Sequence, residues 1–181
     1  TASNSQLGID GDGTIAGGTG GDKVFLSGGS LGSQASGAGS ILGGDGADSL
    51  HLDSVDIGAQ GAGLLDGGSG GDLIELRNGS QLAVTGAGSS ASLFGGSGAD
   101  SIDIFNATVA VAGTVTLDAG DGDDEVTLTN ATVADTVTSS ATIGGGSGAD
   151  LIEFLTSAVA RRGVATVDGG SGSDTLSFTN S

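Results

Sequence analysis

Gly43-Gly44-Asp45-Gly46-Ala47-Asp48-Ser49-Leu50-His51-Leu52 joins a glycine-rich hexapeptide ending in aspartate to a short alternation of polar and apolar residues. The hexapeptide recurs as Gly17 to Asp22, Gly67 to Asp72, Gly95 to Asp100, Ala119 to Asp124, Gly145 to Asp150 and Gly169 to Asp174. Its first positions, from Gly17 to Gly169, are almost evenly spaced along the chain. Seven copies at so even a spacing define a repeat architecture, in which each unit buries its apolar face only against its neighbours.

The residues around the hexapeptide fall into columns. Two places after its aspartate stand Val24, Leu50, Ile74, Ile102, Val126, Ile152 and Leu176; four places after it stand Leu26, Leu52, Leu76, Ile104, Leu128, Phe154 and Phe178. Between them lie Phe25, His51, Glu75, Asp103, Thr127, Glu153 and Ser177, a mixed column that points outward. This is the period of two expected of a half-buried strand. A second apolar column precedes each loop by two places: Ile15, Ile41, Leu65, Leu93, Leu117, Ile143 and Val167. Two places earlier the residues are mostly small, from Gly13, Gly39 and Gly63 to Ala91, Val115, Ala141 and Ala165. A weaker middle column holds Leu31, Ile57, Leu82, Val109, Val133 and Val159. The longest unit, between the loops at Gly67 and Gly95, displaces Leu82 by one place, which puts an insertion just before it.

Three short strands in each repeat of about 25 residues make one turn of a solenoid. The expected fold is all-β: a right-handed parallel β-helix or β-roll-like solenoid of about seven turns, with the loops stacked along one edge and no helices. At roughly 4.8 Å per turn, seven loops span about 34 Å. Like residues then form ladders. Asn78, Asn106, Asn130 and Asn180 share a position with Gly28, Ser54 and Thr156, and such a column suits a left-handed corner. Three of these Asn also begin Asn-x-Ser/Thr triplets, which in a Ser/Thr-rich chain carry little weight as glycosylation acceptors.

A longer rhythm runs through the loops. The residue before the hexapeptide is Asp66, Asp118 or Asp168 in alternate units, and Leu42, Phe94 or Gly144 in those between. Either a two-turn ancestor was duplicated, or each structural turn spans two repeats and the loops alternate between two edges. The first is favoured, because a turn of double length encloses more space than these side chains fill.

Composition narrows the function. Gly makes up 39 of 181 residues, Pro and Cys are absent, and 22 acidic against 4 basic residues give a formal net charge of -18. Collagen would need Gly at every third place and much Pro. Disorder is opposed by the fixed apolar columns. Thirteen carboxylates lie in the loops or one place before them, so the stack should repel itself until cations arrive. Such a surface is a poor partner for nucleic acid or anionic membrane, and no apolar run is long enough for membrane insertion as a helix. Neither end carries a recognisable polar cap, so the single solenoid spanning 1–181 reads as a piece of a longer protein or as a subunit covered by neighbours.

The loops resemble the glycine-rich nonapeptide of the RTX family, Gly-Gly-x-Gly-x-Asp-x-apolar-x. Six loops match through the aspartate, and the fifth has Ala119 in place of the first Gly. In that family the nonapeptides run in tandem, whereas here spacers longer than the nonapeptide itself separate them. The fold should therefore differ even where the metal chemistry does not. The resemblance implies calcium held between adjacent turns by loop carbonyls and the final aspartate. Elementary coordination chemistry agrees: calcium takes six to eight oxygens, Gly-rich loops turn carbonyls inward, and one loop supplies too few. Seven loops offer six gaps and therefore about six Ca²⁺. The expected ligands are Asp22, Asp48, Asp72, Asp100, Asp124, Asp150 and Asp174 with loop backbone carbonyls; Asp45, Asp66, Asp118, Asp121 and Asp168 are further candidates. Simple turn chemistry is the competing account of these aspartates.

Other residues carry less. His51 is the only His and is expected to be solvated, as are Glu75, Asp103 and Glu153. Asp10-Gly11-Asp12-Gly13 opens like an EF-hand but lacks that loop's later Gly and Glu. Arg161-Arg162 is the one basic pair, suited to neutralising nearby carboxylates. With no Tyr and one His, the inventory argues against an enzyme. The resemblance implies a calcium-dependent structural segment of a secreted bacterial cell-surface protein (adhesin, S-layer or filament), exported by a type I route and stacking end to end with copies of itself or flanking repeats. The alternatives are an accessory module of a secreted enzyme and an ice- or carbohydrate-binding solenoid presenting Thr108, Thr127, Thr129, Thr132, Thr136 and Thr138.

Overall fold

A computed structural model describes residues 2–7, 12–35, 37–85 and 88–181. Among them there is no helix; nineteen strands form two parallel sheets. Outbound strands leave each loop: Lys23–Leu31, Ser49–Asp53, Leu73–Arg77, Ser101–Phe105, Glu125–Thr129, Leu151–Leu155 and Thr175–Thr179. Inbound strands enter the next loop: Asp12–Thr19, Ala38–Asp45, Ala62–Ser69, Ser90–Ser97, Thr114–Asp121, Ser140–Gly148 and Val164–Gly172. Two-residue corner strands at Asp56–Ile57, Gln81–Leu82, Thr108–Val109 and Thr132–Val133 complete the turn.

Pairing joins each turn to the next. Leu50 pairs with Ile74, Ile74 with Ile102, and Ile41 with Leu65. The structural unit is therefore one turn, running from one hexapeptide to the next, and all loops share one edge. The two-repeat rhythm is a difference in side chains between alternate turns. Shape explains why: inbound and outbound columns meet in a single narrow core, with Ile41, Leu65, Leu93, Leu117 and Ile143 all fully buried opposite Leu52, Leu76, Ile104, Leu128 and Phe154. Leu31, Ile57, Leu82, Val109 and Val133 close the third side at zero exposure.

Three features go beyond the sequence reading. Ala2–Leu7 pairs in register with the first outbound strand, Ala2 opposite Leu26 and Leu7 opposite Leu31, so the ladder starts before the first loop. The insertion ahead of Leu82 is seated at Gly79, a left-handed residue (φ 86°) whose N–H donates to the Asn106 carbonyl. A second left-handed corner column follows the middle strand, with Gly32 and Gly58 in the early turns and Ala83, Ala110, Ala134 and Ala160 in the later ones. The expected left-handed column is present too: Ser54, Asn78, Asn106, Asn130, Thr156 and Asn180 have φ between 51° and 58°, with Gly28 at 66°.

The outward face corrects one expectation. His51 stacks on Phe25 (ring centroids 4.9 Å apart) and pairs with Glu75, which in turn pairs with Arg77. Register places consecutive members of this column one strand spacing apart, so His51 and Glu75 meet instead of remaining separately solvated. Arg161 does neutralise a carboxylate, that of Asp135 at 3.0 Å. The EF-hand-like opening lies partly outside the described residues, at Asp10 and Gly11.

Candidate metal-binding edge

Each hexapeptide is built from three constraints. Its second and fourth residues take positive φ in all seven loops, from 98° at Gly20 to 145° at Gly122, a region that side-chain-bearing residues rarely enter. Its last residue, aspartate, is held by the neighbouring turn. The Asp22 N–H donates to Asp48 Oδ1 at 2.7 Å, and the same bond runs from Asp48 to Asp72, Asp72 to Asp100, Asp100 to Asp124, Asp124 to Asp150 and Asp150 to Asp174. The carboxylates thus form a continuous ladder along one edge.

The first residue is Gly for a steric reason. Strand pairing lapses there in every turn: Leu42 pairs with Asp66 and Gly44 with Gly68, while Gly43 and Gly67 do not pair. The loop's own aspartate lies over that Cα. A β-carbon at Gly17, Gly43, Gly67, Gly95, Gly145 or Gly169 would stand 2.5 to 2.8 Å from Oδ2 of Asp22, Asp48, Asp72, Asp100, Asp150 or Asp174. In the first five of these clefts the carbonyl oxygen of the next turn's first residue crowds the same point at least as closely. Two oxygens therefore converge beside the first glycine of those five loops, and one beside Gly169.

Except in the last loop, those carboxylate oxygens are buried without a hydrogen-bond partner. Among the described residues, eight buried side-chain N or O atoms lack a hydrogen-bond partner, and six are Oδ2 of Asp22, Asp48, Asp72, Asp100, Asp124 and Asp150. The last five of these aspartates are only 2 to 4% exposed. Desolvation pushes Asp100 up to about 6, opposed by the Asp72 N–H and reinforced by the charges of Asp72 and Asp124. Asp72 and Asp124 are raised as well, burial again leading. A buried charge of this kind needs a partner or a proton.

Turn chemistry alone leaves that oxygen unexplained, because an aspartate that merely shapes a turn has its acceptors used or solvated. The donor set suits a hard divalent cation: carboxylate and carbonyl oxygens on flexible glycine backbone, contributed by two turns. Among the described residues no three Asp, Glu or His side chains gather into a metal cage, so a bound ion would draw chiefly on carbonyls.

The additional candidate aspartates lie elsewhere on the edge. Asp45 and Asp121 are exposed at the third loop position and accept from Ser69 Oγ (2.9 Å) and Ser147 Oγ (3.0 Å) of the following turn. Every loop has an oxygen-bearing side chain at this position: Thr19, Asp45, Ser69, Ser97, Asp121, Ser147 and Ser171. Aligning the loops by their variable residues exposes this outer ladder, which the emphasis on aspartates passed over. Asp66, Asp118 and Asp168 occupy the column just before the loop, where the charges of Asp66 and Asp118 act on Asp72 and Asp124. Asp168 Oδ1 accepts the Gly170 N–H at 3.1 Å, and Asp66 accepts that of Gly68, which is local turn chemistry.

Comparison with known protein families, with characterised proteins and with solved structures gave no match.

Proposed function

We propose that this chain is a calcium-stabilised structural segment of a large secreted bacterial surface, adhesin, S-layer or filament protein. The observation that carries it is the row of buried, unpartnered Oδ2 atoms, of which those of Asp22, Asp48, Asp72, Asp100 and Asp150 each lie beside a carbonyl oxygen of the next turn. Asp22, Asp48, Asp72, Asp100 and Asp150, with the first-residue carbonyls of the following loops, would hold the ions. Bound calcium supplies positive charge where the fold concentrates negative charge, and so links adjacent turns. Extracellular modules of this type bind calcium with dissociation constants of roughly 10⁻⁴ to 10⁻³ M. A chain tuned to that range stays open where calcium is scarce and folds where it is plentiful. The hexapeptide's resemblance to RTX repeats supports secretion by a type I route.

End-to-end stacking with flanking repeats or a second copy belongs to the same proposal, since each turn pairs with the next through parallel strands in register. The threonines expected of an ice-binding face do not form one array: Thr108 and Thr132 pair at the corner, while Thr127 and Thr129 flank acidic and apolar neighbours on the outbound sheet.

Circular dichroism during a calcium titration, with magnesium as control and light scattering recorded alongside, tests the reading. A cooperative gain of β signal with calcium alone is expected, with scatter rising as ends meet. A spectrum and an unfolding midpoint indifferent to calcium would sink it.

A further inference from the structure

The fifth loop breaks the rule of the first position. Ala119 stands where six loops have Gly, and it is fully buried. Its backbone tolerates this, because the first residue, unlike the second and fourth, has no positive φ. The surroundings are another matter. In the glycine loops a β-carbon would lie inside 3.0 Å of both the aspartate Oδ2 and, wherever a turn follows, its carbonyl oxygen, a separation at which something must shift. At Ala119 the methyl group is present, so it takes the space into which the two oxygens would otherwise converge.

The loop's own aspartate is set differently. Asp124 Oδ1 lies 3.2 Å from where a β-carbon on Gly122 would stand. No other loop's final aspartate is among the atoms nearest its fourth-residue glycine. Asp124 Oδ2 is nevertheless buried without a partner.

We infer that the Ala119 methyl group closes the cleft between the fifth and sixth loops to calcium, so that the stack holds five ions in six gaps. This rests on the calcium reading above and adds to it a residue that decides occupancy. The complete clefts are those floored by Gly17, Gly43, Gly67, Gly95 and Gly145. Asp124 keeps its place in the carboxylate ladder, as acceptor of the Asp100 N–H at 2.8 Å, and has no ion of its own.

Counting bound calcium on the full chain by equilibrium dialysis and native mass spectrometry tests this, using wild type, Ala119→Gly and Gly67→Ala. Ala119→Gly is expected to bind one more ion than wild type, and Gly67→Ala one fewer. Ala119 itself shows that the fold accepts a methyl group at this position, so Gly67→Ala should still form the stack, which circular dichroism in calcium checks. Equal counts in wild type and Ala119→Gly overturn the inference while leaving calcium binding intact. No calcium on any of the three overturns the calcium reading and this inference with it.

Discussion

Two edges of the same solenoid solve the same problem differently. At the corner after the outbound strands, serines in some turns close polar groups on one another: Ser80 Oγ donates to the Arg77 carbonyl at 2.8 Å and accepts the Val55 N–H at 3.1 Å. Ser157 repeats this at the same corner further along, accepting from the Ala131 N–H, with the carbonyl oxygens of Leu128 and Leu155 both within reach of its one O–H. At the glycine-aspartate edge each turn uses Oδ1 in the ladder and leaves Oδ2 buried and unbonded. At the corner the protein supplies the partners of both serines, although Arg77 Nε beside Ser80 is buried without one. The loop edge carries one surplus acceptor and one surplus negative charge per turn, repeated along the stack, which is what a site for cations between turns requires.

That contrast is broken most forcefully by the cation itself. With a dissociation constant near 10⁻⁴ M, 10 mM calcium contributes about 2.7 kcal/mol per independent site, hence on the order of 10 kcal/mol over five. Urea unfolding in chelator and in 10 mM calcium should therefore show widely separated midpoints. Coincident midpoints would place the loop edge in the same self-sufficient class as the corner.

Asp100→Asn sharpens the comparison by reversing sign. The amide keeps an acceptor for the Asp72 N–H and replaces the charged oxygen with a donor facing the Ala119 carbonyl. In chelator the variant should be more stable than wild type by about 1 to 2 kcal/mol, since a buried unpaired charge is gone. In 10 mM calcium it should be less stable by about 1 to 2 kcal/mol, the worth of one site less the gain seen in chelator. Destabilisation of equal size in both buffers would mean that the aspartate serves only the turn.

Protons should imitate the cation weakly. Asp72, Asp100 and Asp124 have folded pKa values raised above their ordinary value of 3.8, Asp100 to about 6. Groups raised on folding contribute stability that is full below the unfolded pKa and lost as pH rises through the folded one. In chelator, acidification from pH 7.5 to 5 should thus stabilise the chain, by on the order of 1 kcal/mol from Asp100 alone. In calcium the same change should destabilise it, because protons then compete for the ligands. A midpoint that falls on acidification in chelator would contradict the burial of these groups.

Much of the loop edge was legible because its constraints act on residue type. Positive φ demands Gly at two places, a carboxylate over a Cα demands Gly at a third, and the ladder demands Asp, so the hexapeptide is written out seven times. The inbound and outbound columns were legible because burial alternates with a period of two. The corner was only half legible. Asn78, Asn106 and Asn130 announce a left-handed turn, but Ala83, Ala110 and Ala134 adopt one without any turn signature, held by burial and by bonds such as that from the Ala83 N–H to the Ile57 carbonyl. The pairing of His51 with Glu75 was missed because it depends on which turn lies next to which, and a column taken one residue at a time does not show that.

The corner supplies the smallest prediction and the control for the others. Ser80→Ala removes the acceptor of the buried Val55 N–H and the donor to Arg77, and should cost about 1 kcal/mol. Because no carboxylate of the loop edge takes part in these bonds, the cost should be the same in chelator and in calcium. Asn106→Ala should behave alike: the exposed Asn holds φ 51°, a conformation that costs alanine roughly 1 kcal/mol more. Paired urea titrations of the two variants in both buffers measure this directly. A cost that grew severalfold on adding calcium would mean that the corner and the loop edge are energetically coupled through the narrow core, and the ions would then be stabilising whole turns and not only the edge they occupy.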